Sequence, residues 1–116
     1  MNEIWQGQVY WLDFGPTAGS APAERHPCVV VQNDVFNRSA IATTVVCLIT
    51  SNLGRAKAPG NVLLKKGDAN LPKAGVVNVS QIATVDKASL EEYLGSLSSA
   101  AMGSVREGLH MLFDRL

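Results

Sequence analysis

Arg25 and His26 stand side by side after the polar stretch Gly19-Ser20-Ala21-Pro22-Ala23-Glu24, immediately before Pro27 and the apolar run Cys28-Val29-Val30-Val31. A permanent cation beside an imidazole, at the mouth of a buried strand, is suited to holding an anionic substrate and moving a proton on it. A solvated loop closed by its proline has the same composition, so this segment alone leaves both readings open. What the chain lacks narrows the chemistry. No Cys/His set has zinc spacing, no glycine loop is followed by Lys and Ser or Thr, and no nucleophile-elbow pentapeptide occurs. Asp and Glu are scattered, which makes a two-metal nuclease hard to assemble, and neither a metal nor another cofactor is expected. The groups that remain are Arg, His, Ser, Thr and backbone dipoles. They suit a reaction in which charge builds on a phosphate while protons move on and off oxygen.

A small framework must position them. The 116 residues suffice for a single domain, 1–116, with a modest core. With 47% hydrophobic and 17% charged residues the composition is that of an ordinary soluble globular protein, and no run approaches a membrane span. Residues 1–5 lack a basic region followed by an apolar one, so a cytoplasmic location is expected. Ten Lys and Arg balance ten Asp and Glu, so any affinity for phosphate must come from a local patch. Arg55, Lys57, Lys65 and Lys66 are candidates for that patch, and equally for a solvated face. Cys28 and Cys47 lie in Val-rich runs and are expected to be buried and reduced.

Residues 7–14 are rich in β-formers and stop at the turn signal Gly15-Pro16. Residues 27–31 and 41–50 read as central strands, with turns at Asn33-Asp34 and Asn37-Arg38-Ser39. A short strand at 61–64 and two further strands at 75–79 and 81–85 complete the set. The predicted fold is α+β, mostly β: a compact five- to six-stranded antiparallel sheet or small barrel. Ser89-Leu90-Glu91-Glu92 matches the capping-box pattern and predicts a short helix ending near Gly95. From about Ser99, Met102, Val105, Leu109, Leu112, Phe113 and Leu116 recur at three- and four-residue steps. That spacing predicts a C-terminal amphipathic helix packed on the sheet, slightly weakened by Gly103 and Gly108.

The run from Gly7 to Pro16, followed by Gly19-Ser20 and by Pro27-Cys28-Val29-Val30-Val31-Gln32-Asn33-Asp34-Val35-Phe36-Asn37, resembles the MazF/PemK family of toxin endoribonucleases. The likeness continues through Leu48-Ile49-Thr50-Ser51-Asn52-Leu53, Pro59-Gly60-Asn61-Val62 and Val77-Asn78-Val79-Ser80-Gln81-Ile82, nearly the whole chain. The resemblance implies a MazF/Kid/CcdB-like fold and the toxin of a type II toxin-antitoxin pair. Such a toxin is a homodimer with no membrane association that cuts single-stranded RNA at short sequences, and a cognate MazE-like antitoxin holds it inactive. It further implies attack of the ribose 2′-hydroxyl on the adjacent phosphorus without metal, giving 2′,3′-cyclic phosphate and 5′-hydroxyl ends.

The family's better-known members carry Arg immediately before the proline, where this chain has His26 and an Arg one place earlier. The resemblance then implies Arg25 as phosphate electrophile and His26 as general base or acid, a role suited to an imidazole's ordinary pKa of about 6.5. Thr50 matches the family's strand-end Thr, whose hydroxyl donates to a non-bridging phosphate oxygen. RNA contacts are implied for Ser20, Glu24, Ser51, Asn52 and Gln81. The fold family also includes toxins that poison DNA gyrase by binding it, and a degenerate member would bind RNA or antitoxin without cutting. Arg25, His26 and Thr50 favour the enzyme.

Overall fold

The computed structural model describes residues 3–13 and 25–115. β1 (Gln8–Asp13) and β2 (Arg25–Val30) pair antiparallel, with Tyr10 opposite Cys28, Leu12 opposite His26 and Asp13 opposite Arg25. Arg25 and His26 therefore belong to the sheet, not to a loop that ends at Pro27. The proline is tolerated because it lies opposite Trp11, whose backbone N–H donates to the Glu92 carbonyl and whose carbonyl accepts from the Glu91 N–H. With those bonds made on the far side of β1, the ladder loses nothing at Pro27.

Beyond β2 come a one-turn helix α1 (Asp34–Asn37), β3 (Thr43–Thr50), β4 (Val62–Leu64), β5 (Gly75–Asp86), β6 (Tyr93–Ser96) and α2 (Ser99–Phe113). The strands form one six-stranded sheet in the order β4-β5-β3-β2-β1-β6, antiparallel at every pairing. This is the mostly β, antiparallel architecture that the pattern of short β-branched runs predicts, with the C-terminal helix where the apolar spacing put it. The two strands expected at 75–79 and 81–85 are one, β5, whose register against β3 slips between Cys47 and Ile49. Residues 41 and 42 lie outside β3, and Ile41 is exposed.

The helix expected from Ser89 does not form. Lys87–Ser89 is a single 3-10 turn, and the chain then runs alongside β1 into β6, where Tyr93 packs on Tyr10 with ring centroids 5.5 Å apart. An isolated turn of helix is costly to nucleate, and the open edge of β1 offered this segment cross-strand hydrogen bonds instead.

Side chains of the two sheet faces form separate clusters. One, around Val9, Val29, Cys47, Ile49, Val77 and Val79, is closed by Met102 and Val105 of α2; the other gathers Ile4, Tyr10, Leu12, Cys28, Val30 and Val46. The connection between β4 and β5 packs against the β6 edge of the sheet. Asn70, in the connection between β4 and β5, donates from Nδ2 to the Leu94 carbonyl of β6 at 2.8 Å. Gly95 is required at this junction, since a Cβ there would lie 2.9 Å from the Ala69 backbone. The connection from β2 to β3 is held by Asn37, which is buried. Its amide donates to the Gln32 carbonyl and to Asp34, and its oxygen accepts from Gln32 and from the Thr44 hydroxyl.

Among the described residues no helix is long and apolar enough to cross a membrane. Cys28 and Cys47 are both buried and unpaired, and burial pushes each thiol up to about 12 from an ordinary 9.0. Such thiols are neutral in the fold, so their contribution to stability is complete below pH 9 and is lost as pH rises toward 12. At pH 8 the native protein is expected to react with a disulfide reagent such as DTNB roughly a hundredfold or more slowly than the urea-unfolded chain. Rapid labelling of the native state would contradict the burial.

Candidate active site

Cys28 lies opposite Leu48 and Val30 opposite Val46 in the β2–β3 ladder. Continued by two residues, that register brings His26 level with Thr50. Alternation along the strands sets both on the face that carries Cys28, Val30 and Val46. Arg25 falls on the other face with Pro27 and Trp11. At this end of the sheet lies a cleft of about 170 Å³ whose lining includes Trp11, Arg25, His26, Thr50, Ser51 and Lys73. Pro27, Ile49, Leu71 and Pro72 supply its apolar surface.

Thr50 is half-buried, and its Oγ1 accepts from the Asn52 N–H at 3.2 Å. Acting as acceptor in that bond, the hydroxyl keeps its proton for donation. The Arg25 guanidinium lies 4.9 Å from the centre of the Trp11 ring, a cation–π distance, and its Nε donates to Glu91 Oε1 at 2.7 Å. Arg25 thus reaches across β1 toward the β6 edge, while Thr50 lies on the other side of β2. Lys73, in the residues that lead into β5, brings a second cation to the cleft. Residues carrying a hydroxyl, an imidazole and two cations at one end of the sheet supply the groups needed to bind a phosphate and transfer protons at its oxygens.

The structure brings together Arg25, His26, Thr50 and Ser51. It does not bring Asn52 or Gln81 to the cleft. Asn52 caps the 3-10 turn Leu53–Lys57, its side chain accepting from the Gly54 N–H at 3.1 Å, and Gln81 is bonded to the Asn78 amide at 2.8 Å. Ser20 and Glu24 lie outside the described residues. Arg55, Lys57, Lys65 and Lys66 are exposed but do not line the cleft; Lys73 does. Trp11, Lys73 and Glu91 escaped the sequence reading. An aromatic in the first β-forming run was the one available signal for Trp11, and Glu91 was hidden by a capping-box pattern. Among the described residues no three His, Cys, Asp or Glu side chains gather as a metal ligand set. A larger hollow of about 380 Å³, against the end of α2, is lined by Arg106, Leu109, His110, Phe113 and Asp114 and shares no residue with the cleft.

Over residues 5–113 the chain matches the family described as PemK-like, MazF-like toxin of type II toxin-antitoxin system. It is 40% identical over 111 residues to Endoribonuclease MazF6 of Mycobacterium tuberculosis, covering 96% of this chain and 97% of that protein. Endoribonuclease MazF of Staphylococcus epidermidis is 37% identical over 106 residues, 91% of this chain and 88% of its own length. Among solved structures, an endoribonuclease in complex with its cognate antitoxin, from Mycobacterial species, superimposes with a TM-score of 0.77 at 28% identity, covering 97% of this chain and 99% of that one.

Proposed function

The chain belongs to the PemK-like, MazF-like toxin family of type II toxin-antitoxin systems, and from that premise we propose that it is a metal-independent endoribonuclease cutting single-stranded RNA at a short sequence. The observation that carries this reading is the level register of His26 and Thr50 at a cleft that also holds Arg25 and Lys73. The ribose 2′-oxygen attacks the adjacent phosphorus while the His26 imidazole takes the 2′-hydroxyl proton. The bond from phosphorus to the 5′-oxygen breaks, that oxygen takes up a proton from water as it leaves, and the imidazolium returns its proton to solvent. The products are a 2′,3′-cyclic phosphate and a 5′-hydroxyl. The Thr50 hydroxyl donates to a non-bridging oxygen as charge builds there, and Arg25 and Lys73 hold the anionic strand. Because the nucleophile is internal to RNA, DNA is not a substrate and no metal is needed to generate hydroxide.

Ser51, at the cleft, is assigned to RNA contact, and Asn52 and Gln81 to flanking nucleotides; Ser20 and Glu24 keep the contacts that the resemblance implies for them. The active form is a cytoplasmic homodimer, held inactive by a MazE-like antitoxin. Support for the antitoxin comes from the mycobacterial relative described as bound to its own, and support for association from exposed apolar side chains such as Phe36, Ile41 and Phe113.

Incubating the purified protein with a long unstructured RNA, in EDTA and separately in Mg²⁺, and mapping the fragment ends tests the proposal. Equal cleavage in both, at a recurring short motif, with cyclic phosphate and 5′-hydroxyl termini is expected. Cleavage only with metal, or 5′-phosphate ends, would overturn the chemistry. Intact RNA together with loss of DNA gyrase supercoiling would point to a protein-binding toxin instead.

A further inference from the structure

Arg25 does not stand toward Thr50 but is drawn across Trp11 to Glu91. Four contacts set this arrangement. Glu91 is anchored by its own backbone, since its N–H donates to the Trp11 carbonyl at 2.9 Å, with the neighbouring Glu92 carbonyl accepting from the Trp11 N–H at 2.9 Å. The Trp11 ring supplies a flat surface under the guanidinium at 4.9 Å. Oε1 of the carboxylate then accepts a hydrogen bond from Arg25 Nε–H at 2.7 Å. Arg25 and Glu91 side chains are 51% and 41% exposed, and a pair so well hydrated is weakly held and open to exchange.

We propose that Glu91 is a positioning residue that competes with an RNA phosphate for Arg25, so that the β5–β6 connection sets how tightly and at what ionic strength the cleft takes RNA. The inference rests on the RNA-cutting reading above. A carboxylate and a phosphate present the same anionic oxygens to a guanidinium, and both cannot sit close to one cation without repelling each other. RNA binding therefore exchanges one charge-assisted hydrogen bond for another on the same Trp11 surface. With Glu91 neutralised, Arg25 loses one competing carboxylate, Asp13 remaining opposite it on β1, and acts as an additional counterion for the strand.

The test measures binding of a single-stranded oligonucleotide, made uncleavable by a 2′-deoxy residue at the mapped cut site, to the full chain across a salt series. Cleavage of the all-ribose strand is followed in parallel. Glu91→Gln is expected to bind about 3- to 10-fold more tightly at low salt, with a log–log salt slope steeper by about 0.7, the value for one more neutralised phosphate on a single strand. Glu91→Asp, which keeps the carboxylate, is expected to restore most of the wild-type affinity. Arg25→Ala should bind more weakly, and adding Glu91→Gln to it should change nothing further. Unchanged affinity and slope in Glu91→Gln, or a gain that persists without Arg25, would overturn the proposal while wild-type cleavage leaves the RNA reading standing. A wild type that neither binds nor cuts RNA would remove both. Since both side chains are on the surface, thermal melting of the variants should match wild type and separates these outcomes from misfolding.

Discussion

His26→Ala is expected to lower kcat on a short RNA by about 10²–10⁴-fold, the usual cost of losing a general acid or base, with a much smaller change in KM. Thr50→Ala should lower kcat by about 10²-fold, as for removal of one donor to a developing oxyanion. The geometry motivates the ranking. His26 and Thr50 are brought level by the β2–β3 register and share a face, so one phosphate can meet both. Arg25 alternates to the opposite face and is engaged with Trp11 and Glu91. Arg25→Ala should accordingly act mainly on KM, because a cation that holds the strand equally in ground and transition state contributes uniform binding. Steady-state kinetics on an oligonucleotide with a single ribonucleotide at the cut site resolves the split. A large kcat loss in Arg25→Ala with a mild effect in His26→Ala would reverse the two roles and sink the assignment of the proton to His26.

This ordering of Arg25 and His26 was not available from the chain alone. Their neighbours Gly19 to Glu24 and Pro27 make them read as the end of a loop, in which either side chain can swing either way. What fixes them is pairing with β1, and that depends on Trp11 giving its backbone bonds to residues 91 and 92 instead of to Pro27. Such a bond spans 80 residues of sequence and leaves no local mark. The same holds for Glu91, whose partner Arg25 is 66 positions away. Locally, Ser89-Leu90-Glu91-Glu92 looks like a helix start, and only the open edge of β1 makes it a strand approach. By contrast β1 to β4 were legible in outline, and β5 in two pieces, because β-branched residues alternate or run unbroken between Gly, Pro and Asn signals and burial then selects strands. Thr50 was legible in a third way, through the resemblance alone. A strand-end Thr has no chemical signature until something anionic is placed beside it.

Gly108→Ala is expected to destabilise the protein by about 3 kcal/mol, at the upper end for overpacking a tight contact, and so to lower the Tm by roughly 10 °C for a domain of this size. The sequence treats Gly103 and Gly108 alike, as two weak points in α2, but their surroundings are opposite. A Cβ on Gly103 would meet nothing nearer than the Arg106 guanidinium at 3.8 Å, so Gly103→Ala should stabilise by about 0.5–1 kcal/mol through helix propensity and a less flexible unfolded chain. A Cβ on Gly108 would fall on the Gly60 carbonyl oxygen and lie 3.1 Å from Val79 Cγ1, so α2 crosses the turn before β4 at backbone distance. That turn cannot easily retreat. Gly60 holds φ at +76°, and its neighbour Asn61 ties it to Arg55 through Nδ2 at 2.9 Å and to the Val79 N–H through Oδ1 at 3.0 Å. To admit the methyl group, α2 must lift from Val79 or the turn must let go of β5, and either opens the cluster that Met102 and Val105 close. Thermal unfolding of the two variants side by side decides the point: opposite shifts are expected, and a Gly108→Ala protein as stable as Gly103→Ala would mean that helix and turn do not meet as closely as this.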